Sequence, residues 1–310
     1  MMNDTKKTQN TMMDSIDSVD SVASVASVDS VSSVAPLASQ DLVDLHMHST
    51  FSDGRYTPTQ LVEEAAAKGL KVLALTDHDS WNGVHEAQAA AARLGSIRVV
   101  TGVELGTQYE NDSVHILGYH VRMDCEPLHA KMDEMRHGRE LRLSRMLAKL
   151  DGLGYHVEVE ACDPKNRAVG RPHVAKALVA AGYFNTVQEV FDALLHRGGP
   201  AYVPQPKLSP QEAVALIHQA GGIAVLAHPA ELSDSTLPER LLQAVPFDGL
   251  EVYHPSADKE AQAHWLQLAK EHGLLVGGGS DFHAIPDRYP SQLGMWQVHY
   301  EDVKGVIEWK

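Results

Sequence analysis

The sequence predicts an α/β fold whose natural form is a closed barrel. Three observations carry that expectation. From residue 41 onward, short aliphatic runs alternate with amphipathic helical stretches, the order that builds α/β domains. The runs are apolar without a two-residue alternation, as strands buried on both faces of a parallel sheet are. Nearly every run ends in His, Asp or Glu, and parallel barrels carry their chemistry at the carboxyl ends of their strands.

Residues 1–40 precede this pattern. "SVDSVASVASVDSVSSV" repeats Ser-Val at a spacing of three from Val19 to Val34, which matches neither strand nor helix. It is rich in Ser and Asp and lacks aromatics, so a disordered tail is expected. "LVDLHMH" is the first strand run. "TPTQLVEEAAAKG" is a helix with a Thr-Pro start and a stop at Gly69. "KVLALTDHD", "IRVVTGVEL" and "SVHILGYHV" follow as strands. Residues 124–206 read as helical throughout, in "EPLHAKMDEMRHGRELRLSRMLAKLDGLG", "GRPHVAKALVAAG" and "TVQEVFDALLHRGG". This stretch is expected to be a helical insertion that contributes to substrate binding, placed between barrel segments 41–123 and 207–310. "YVPQPKLSP" returns the chain to the barrel. "SPQEAVALIHQAGG" opens with Ser209 as N-cap, Pro210 at the first helical position and Glu212 at the third. "GGIAVLAHP", "FDGLEVYHP" and "GLLVGGGSDFH" complete seven strand runs.

Composition bounds the partners. The 310 residues carry a formal charge of −15. Such a surface disfavours long nucleic acid but leaves room for a local basic patch and a small phosphorylated ligand. The two cysteines, Cys125 and Cys162, show no C-x-x-C spacing, which fits a reducing cytoplasm. No apolar stretch approaches the roughly 18–20 residues that span a bilayer, and the N-terminus lacks the apolar segment of a secretory signal. A cytoplasmic protein without membrane contact is expected.

The titratable residues at the run ends point to a metal site. His46 and His48 close the first run, with Asp53 five residues beyond. Asp77, His78 and Asp79 close the second, Glu104 the third, His228 the fifth, His254 the sixth, and Asp281 and His283 the seventh; the fourth contains His115. Strand residues two apart face the same side, so His46 with His48, and Asp281 with His283, enter one space. Crowded carboxylates repel, and buried charges need partners. Two or three divalent ions meet that need. Imidazole and carboxylate donors suit Mn²⁺, Zn²⁺ or Fe²⁺ better than Ca²⁺, and the lack of Cys donors argues against a structural zinc. Ions about 3.5–4 Å apart activate a bridging water and clamp a phosphoryl oxygen. The expected chemistry is phosphomonoester hydrolysis by metal-bound hydroxide, with Glu104 and Asp281 at its centre. His254 is a candidate for protonating the leaving oxygen or for holding a phosphate oxygen.

Arg136, Arg139, Arg142 and Arg145 recur every three residues in the insertion. Members of this row are candidates for a second phosphate, Arg145 among them, because the planar guanidinium makes paired bonds to phosphate; a solvated helix face is the alternative. In "VGRPHVAKAL", Arg171 and His173 stand at a helix start, a ready anion site. Trp81 and Asn82 are candidates for base or ribose contacts, with packing the alternative for Trp81.

The motifs "DLHMHSTFSDG", "LALTDHDSWNG", "VTGVEL", "VHILGY", "AVLAHP" and "SDFH" occur in this order. They resemble the PHP (polymerase and histidinol phosphatase) family. The resemblance implies a distorted (β/α)₇ TIM-like barrel and up to three metals, with Mn²⁺ or Zn²⁺ favoured and Mn²⁺ foremost. It implies a first site of His46, His48, Glu104 and Asp281. A second would use Glu104, His115 and His228, and a third Asp53, His78 and His283. Some members carry His at the position of Asp53. "GRPH" at 170–173 and "GGPAYVP" at 198–204 resemble the stand-alone phosphoesterases of the family that act on nucleotides. That branch implies removal of the 3′-phosphate from a nucleoside 3′,5′-bisphosphate such as adenosine 3′,5′-bisphosphate, leaving AMP. The alternatives are 5′–3′ trimming of short RNA, hydrolysis of histidinol phosphate, and a polymerase-linked module, disfavoured because no polymerase follows residue 310. A non-catalytic metal-binding regulator is disfavoured by the complete ligand set.

Overall fold

The computed structural model describes residues 36–159, 170–204, 207–286 and 288–310. The expected tail lies outside the described residues up to position 35, as do parts of the insertion, Cys162 included. The chain forms one eight-stranded sheet in the order β7-β6-β5-β4-β3-β2-β1-β8. Its strands are β1 (Leu42–Asp44), β2 (Val72–Leu75), β3 (Arg98–Tyr109), β4 (Asp112–Tyr119), β5 (Ile223–Leu226), β6 (Gly249–Tyr253), β7 (Leu275–Gly278) and β8 (Val298–His299). Each of the seven expected runs overlaps one of β1–β7.

The sheet curls until its ends meet. Beyond β1 and β7, Met47 bridges Phe282 in parallel. The Leu45 N–H donates to Gly278 O (3.2 Å) and the His48 N–H to Phe282 O (2.9 Å). A Cβ on Gly279 would fall 2.3 Å from the His46 nitrogen, so only glycine lets this seam close. β1–β7 thus form a nearly closed circuit. The eighth strand, absent from the sequence expectation, pairs antiparallel with the start of β1; two residues are too few to produce a pattern.

One strand corrects the expected parallel order. β4 runs antiparallel to both β3 and β5. No crossover helix separates it from β3: the chain turns within two residues, with Glu110 in the left-handed region (φ +52°). His115 lies early in β4, opposite Gly106 of β3. Reversal of the strand carries this early residue to the rim where the other strands end.

Helices α1 (Pro58–Ala67) and α2 (Val84–Leu94) cover β1–β3. α6 (Pro210–Gln219), α7 (Leu237–Ala244) and α8 (Lys259–His272) cover the far side, and α9 (Tyr300–Ile307) packs beside β7. The capping box expected at Ser209/Glu212 is present, and the helix with the Thr-Pro start is closed by a second box, Thr57/Gln60.

Between β4 and β5 stand α3 (Glu126–Gly152), α4 (Arg171–Ala180) and α5 (Val187–Val190), the last continuing into a π-helical turn, Phe191–Leu195. α3 serves two cores. Leu128, Met132 and Met135 pack on the barrel. Leu143, Met146 and Leu150 pack instead with Val174, Leu178 and Leu194 of the helices that follow. Among the described residues, no helix is long and apolar enough to cross a membrane.

Candidate metal and phosphoester site

Glu104 is the hub of the rim. It is buried, and its two oxygens face different imidazoles. Oε1 lies 2.9 Å from His115 Nδ1 and 3.2 Å from His228 Nε2. Oε2 lies 2.9 Å from His78 Nδ1, 3.2 Å from His48 Nε2 and 3.5 Å from His46 Nε2. Asp281 Oδ1 approaches the same two nitrogens, at 3.1 Å from His48 and 3.5 Å from His46. Asp53 lies 3.0 Å from His283 Nε2 and 3.9 Å from His78 Nε2. The structure therefore brings His46, His48, Asp53, His78, Glu104, His115, His228, Asp281 and His283 into one cluster.

The backbone bends to achieve this. Asp79, His228 and Asp281, in the segments that follow β2, β5 and β7, adopt φ +48°, +25° and +50°. Non-glycine residues adopt such angles at a cost of about 1–3 kcal/mol each, typically where function demands it.

The donor set fits divalent ions. His46 Nε2, His48 Nε2, Glu104 Oε2 and Asp53 Oδ1 are buried without a hydrogen-bond partner. Several lie close together, yet their lone pairs do not form hydrogen bonds with one another. Buried polar atoms left unpaired are costly, and a shared cation satisfies many at once. Donor atoms lie within 4.8 Å of one another in His46/His48/Asp281, in His78/Glu104/His115 and in His48/Asp53/His78/His283. The charge balance has the same character. Burial alone raises Glu104, but His78, His115 and His46 hold it well below the usual carboxylate range. Burial lowers His78, but Glu104 and Asp53 push it up to about 10.

The comparisons with known proteins follow this geometry. The PHP domain family model matches residues 44–217. A 3′,5′-nucleoside bisphosphate phosphatase of Chromobacterium violaceum is 38% identical over 272 residues, 85% of this chain and 93% of that one. The chain belongs to the PHP domain family. A 5′-3′ exoribonuclease of Haemophilus influenzae is 35% identical, covering 77% of this chain and 89% of that protein. A solved structure from Bifidobacterium adolescentis, assigned as a metal-dependent phosphoesterase, superposes with a TM-score of 0.70 at 32% identity, covering 88% and 97% of the two chains.

Around this PHP cluster stand Glu251 and Arg288, which the sequence reading did not single out, and Asp77, which it placed among the run-end residues of the metal site. Glu251, in the middle of β6, is fully buried. It lies 3.0 Å from His46 Nδ1 and accepts the His228 N–H at 2.7 Å. Its signal was an acid inside an apolar strand run. Asp77, at the end of β2, is turned away from the cluster. It accepts from the Ser49 N–H and hydroxyl (both 2.7 Å) and from the Ser52 hydroxyl (2.6 Å). Arg288 donates to Asp281 Oδ2 at 2.5 Å.

His254 is buried beside the cluster, its Nε2 4.0 Å from Asp281 Oδ2. Its Nδ1 accepts the Ser256 N–H at 3.1 Å. In the neutral ring that places the proton on Nε2, which makes Nε2 a donor rather than a metal ligand.

On the β2 side, the PHP rim meets the helical insertion. Arg139 of α3 forms an ion pair with Asp79. Arg142 and Arg171 both lie over the Tyr202 ring, at 5.9 and 5.8 Å from its centroid. Arg142 donates to Val203 O (2.7 Å) and Arg171 to Leu195 O (3.3 Å). Burial lowers the Lys207 ammonium; Asp79 opposes this, and the positive charges of Arg142, Arg171 and Arg139 add to it. Four cations are gathered here in a chain of net negative charge.

The other expected contacts fall differently. Arg145 is exposed and has no hydrogen bond or ion pair among the described residues, so Arg139 is the member of the row that meets the rim. Helix phase is the reason: Arg145 lies six residues further on, where α3 has turned onto the insertion core. His173 accepts the Gly170 N–H at 3.2 Å, closing the start of α4. Trp81 is buried in the barrel core and stacks on His129 of α3, with centroids 5.8 Å apart; packing is its observed role. Asn82 is exposed, and its N–H donates to the Ser80 hydroxyl (3.3 Å).

Proposed function

We propose that this chain is a metal-dependent phosphoesterase that removes the 3′-phosphate of nucleoside 3′,5′-bisphosphates. The observation that carries the reading is the ion pair of Arg139 with Asp79. It ties Arg139, and with it the basic group it forms with Arg142, Arg171 and Lys207, to Asp79, the neighbour of His78 in the ligand cluster. A ligand that presents one phosphate to the cluster finds a second anion site next to it.

His46, His48, Glu104 and Asp281 would hold one ion; Glu104, His115 and His228 a second; Asp53, His78 and His283 a third, with Mn²⁺ the first choice. When bound, such ions neutralise phosphate charge and lower the pKa of water. The chain's own residues do the remainder. Glu251 fixes the His46 ring so that Nε2 faces inward. His254 offers its Nε2 proton to an oxygen of the reacting phosphate. The arginines and Lys207 hold the 5′-phosphate, and the insertion over 124–206 supplies most of that subsite. Water adds to phosphorus, the bond from phosphorus to O3′ breaks, and a proton from the water ends on O3′.

The similarity to the Chromobacterium violaceum phosphatase supports this reading. Negative overall charge favours a small nucleotide in a local basic pocket over a long polyanion. The test is phosphate release from adenosine 3′,5′-bisphosphate by Mn²⁺-loaded protein, before and after chelation. Release that chelation abolishes is expected. No release from fully loaded protein would overturn the proposal.

A further inference from the structure

His46, His48 and His283 all turn Nε2 toward the carboxylates of the cluster, but their outer nitrogens meet different kinds of group. His46 Nδ1 lies 3.0 Å from the Glu251 carboxylate, and His283 Nδ1 lies 2.7 Å from the Asp281 carbonyl oxygen. An ionised carboxylate and a carbonyl only accept. Each therefore holds a ring proton on Nδ1 and leaves the Nε2 lone pair for an ion. His48 Nδ1 meets the Ser52 hydroxyl instead, at 3.3 Å. A hydroxyl both donates and accepts, so Ser52 by itself would tolerate either tautomer of His48.

Asp77 removes that freedom. Its Oδ1 accepts the Ser49 N–H at 2.7 Å, which can only donate, and the Ser52 hydroxyl at 2.6 Å. Its Oδ2 accepts the Ser49 hydroxyl at 2.7 Å. Ser52 has a single proton, and Asp77 takes it. Toward His48 the Ser52 oxygen can then only accept, and the donor must be Nδ1–H. Asp77, Ser49, Ser52 and His48 are all buried, out of competition with water. Asp53 Oδ1 stands 3.7 Å from His48 Nδ1, too far for a hydrogen bond. The loop that carries Ser52 is held close to the ring's own backbone. The Gly54 N–H donates to Ser49 O at 3.0 Å, and a Cβ on Gly54 would fall 2.2 Å from His48 O.

We propose that Asp77 is a positioning residue for His48: through Ser52 it keeps the ring proton on Nδ1 and presents a bare Nε2 to the ion position. The role rests on the reading of the cluster as a divalent-ion site. It gives Asp77, which offers no atom to the cluster itself, a hold on one of the ligands. Where His46 has a carboxylate against its ring, His48 has one a hydroxyl further away. Partners that fix the tautomer of a ligating imidazole typically carry about 10–100-fold in metal affinity.

The experiment titrates the full chain with Mn²⁺ and reads the free ion by electron paramagnetic resonance. Ser52→Ala and Asp77→Ala should each weaken binding by about 10–100-fold. Asp77→Asn keeps an oxygen that accepts both the Ser49 N–H and the Ser52 hydroxyl, and should restore most of the affinity. Ser49→Ala takes an equally buried hydroxyl from the same carboxylate, but off the path to His48, and should stay close to wild type. Wild-type affinity in Ser52→Ala, an equal loss in Ser49→Ala and Ser52→Ala, or Asp77→Asn as weak as Asp77→Ala would overturn the positioning role alone. If Asp77→Ala does not fold, Ser52→Ala decides, because it leaves both Ser49 bonds to Asp77 in place. Wild-type protein that binds no Mn²⁺ would overturn the metal reading and the role of Asp77 with it.

Discussion

Glu251 and His46 share a buried contact of 3.0 Å between Oε1 and Nδ1, while the other Glu251 oxygen holds the backbone N–H of His228. One carboxylate thereby orients two residues of the ligand cluster without joining their inward-facing atoms. Carboxylate partners of this kind fix the tautomer of a ligating imidazole, and losing one typically costs about 10–100-fold in metal affinity. Glu251→Gln replaces one acceptor with a donor, so either the His46 ring or the His228 amide loses its partner. A weakening of that size is expected in ion titrations with the fold retained, as read by circular dichroism.

Glu104→Gln should be more severe. Its two oxygens face separate groups of imidazoles, His115 with His228 and His78 with His48 and His46. One substitution therefore disturbs more than one ion position. Loss of turnover by at least about a hundredfold is expected, together with a lower metal content by elemental analysis. Full metal content with unchanged turnover would remove Glu104 from the centre.

How much of this was legible in the sequence depends on where each signal lay. The strand runs and their terminal His, Asp and Glu were visible because buried strands leave continuous apolar text. The direction of β4 was not, because an apolar run reads alike in either direction; only the short turn at Glu110 and Asn111 revealed it. Glu251 was overlooked because it sits inside a strand rather than at its end. The arginine row was visible, but the member facing the rim was not. A spacing of three fixes neighbours on a helix, while the tertiary docking of α3 decides which neighbour meets Asp79.

That docking yields a pair of contrasting variants. Arg139→Ala removes a cation bonded to Asp79 and opens the quartet. Hydrogen bonds to charged groups contribute about 1.5–3 kcal/mol, so KM for the bisphosphate should rise on the order of tenfold or more with metal content unchanged. Arg171→Ala should behave likewise. Arg145→Ala, on the exposed face, should match wild type. The reverse ranking in steady-state kinetics would move the second phosphate elsewhere on α3.

The chelated protein should show a distinctive stability profile. Burial pushes the Asp44 carboxyl up to about 7, against the lowering effect of its hydrogen bonds with Ser280 and His46. Above its unfolded value of 3.8 the unfolded chain loses this proton while the folded chain keeps it, so the cost of burial grows with pH until about 7. Three units correspond to about 4 kcal/mol at most. His78 acts in the opposite sense: its raised value of about 10 contributes stability that is complete below 6.5 and lost as pH rises through 10. Asp44→Asn should therefore flatten the decline in melting temperature between pH 4 and 7. His78→Gln should flatten the decline between 7 and 10. Melting curves whose slopes these variants leave unaltered would contradict both assignments.

Trp81 supplies the sharpest contrast between packing and binding. Its ring is 5% exposed and lies between the loop after β2 and His129 of α3. Removing a buried aromatic ring typically costs about 3–5 kcal/mol, and here the loss falls where α3 meets the barrel. Trp81→Ala should lower the melting temperature by on the order of 10 °C, while Trp81→Phe should recover part of it. Neither should change metal content, because the ring stacks on His129 of α3 rather than on an imidazole of the cluster among the described residues. In the folded fraction, KM should stay near wild type as long as Arg139 keeps its pairing with Asp79. A large rise in KM without loss of stability would instead place the indole against the base of the substrate.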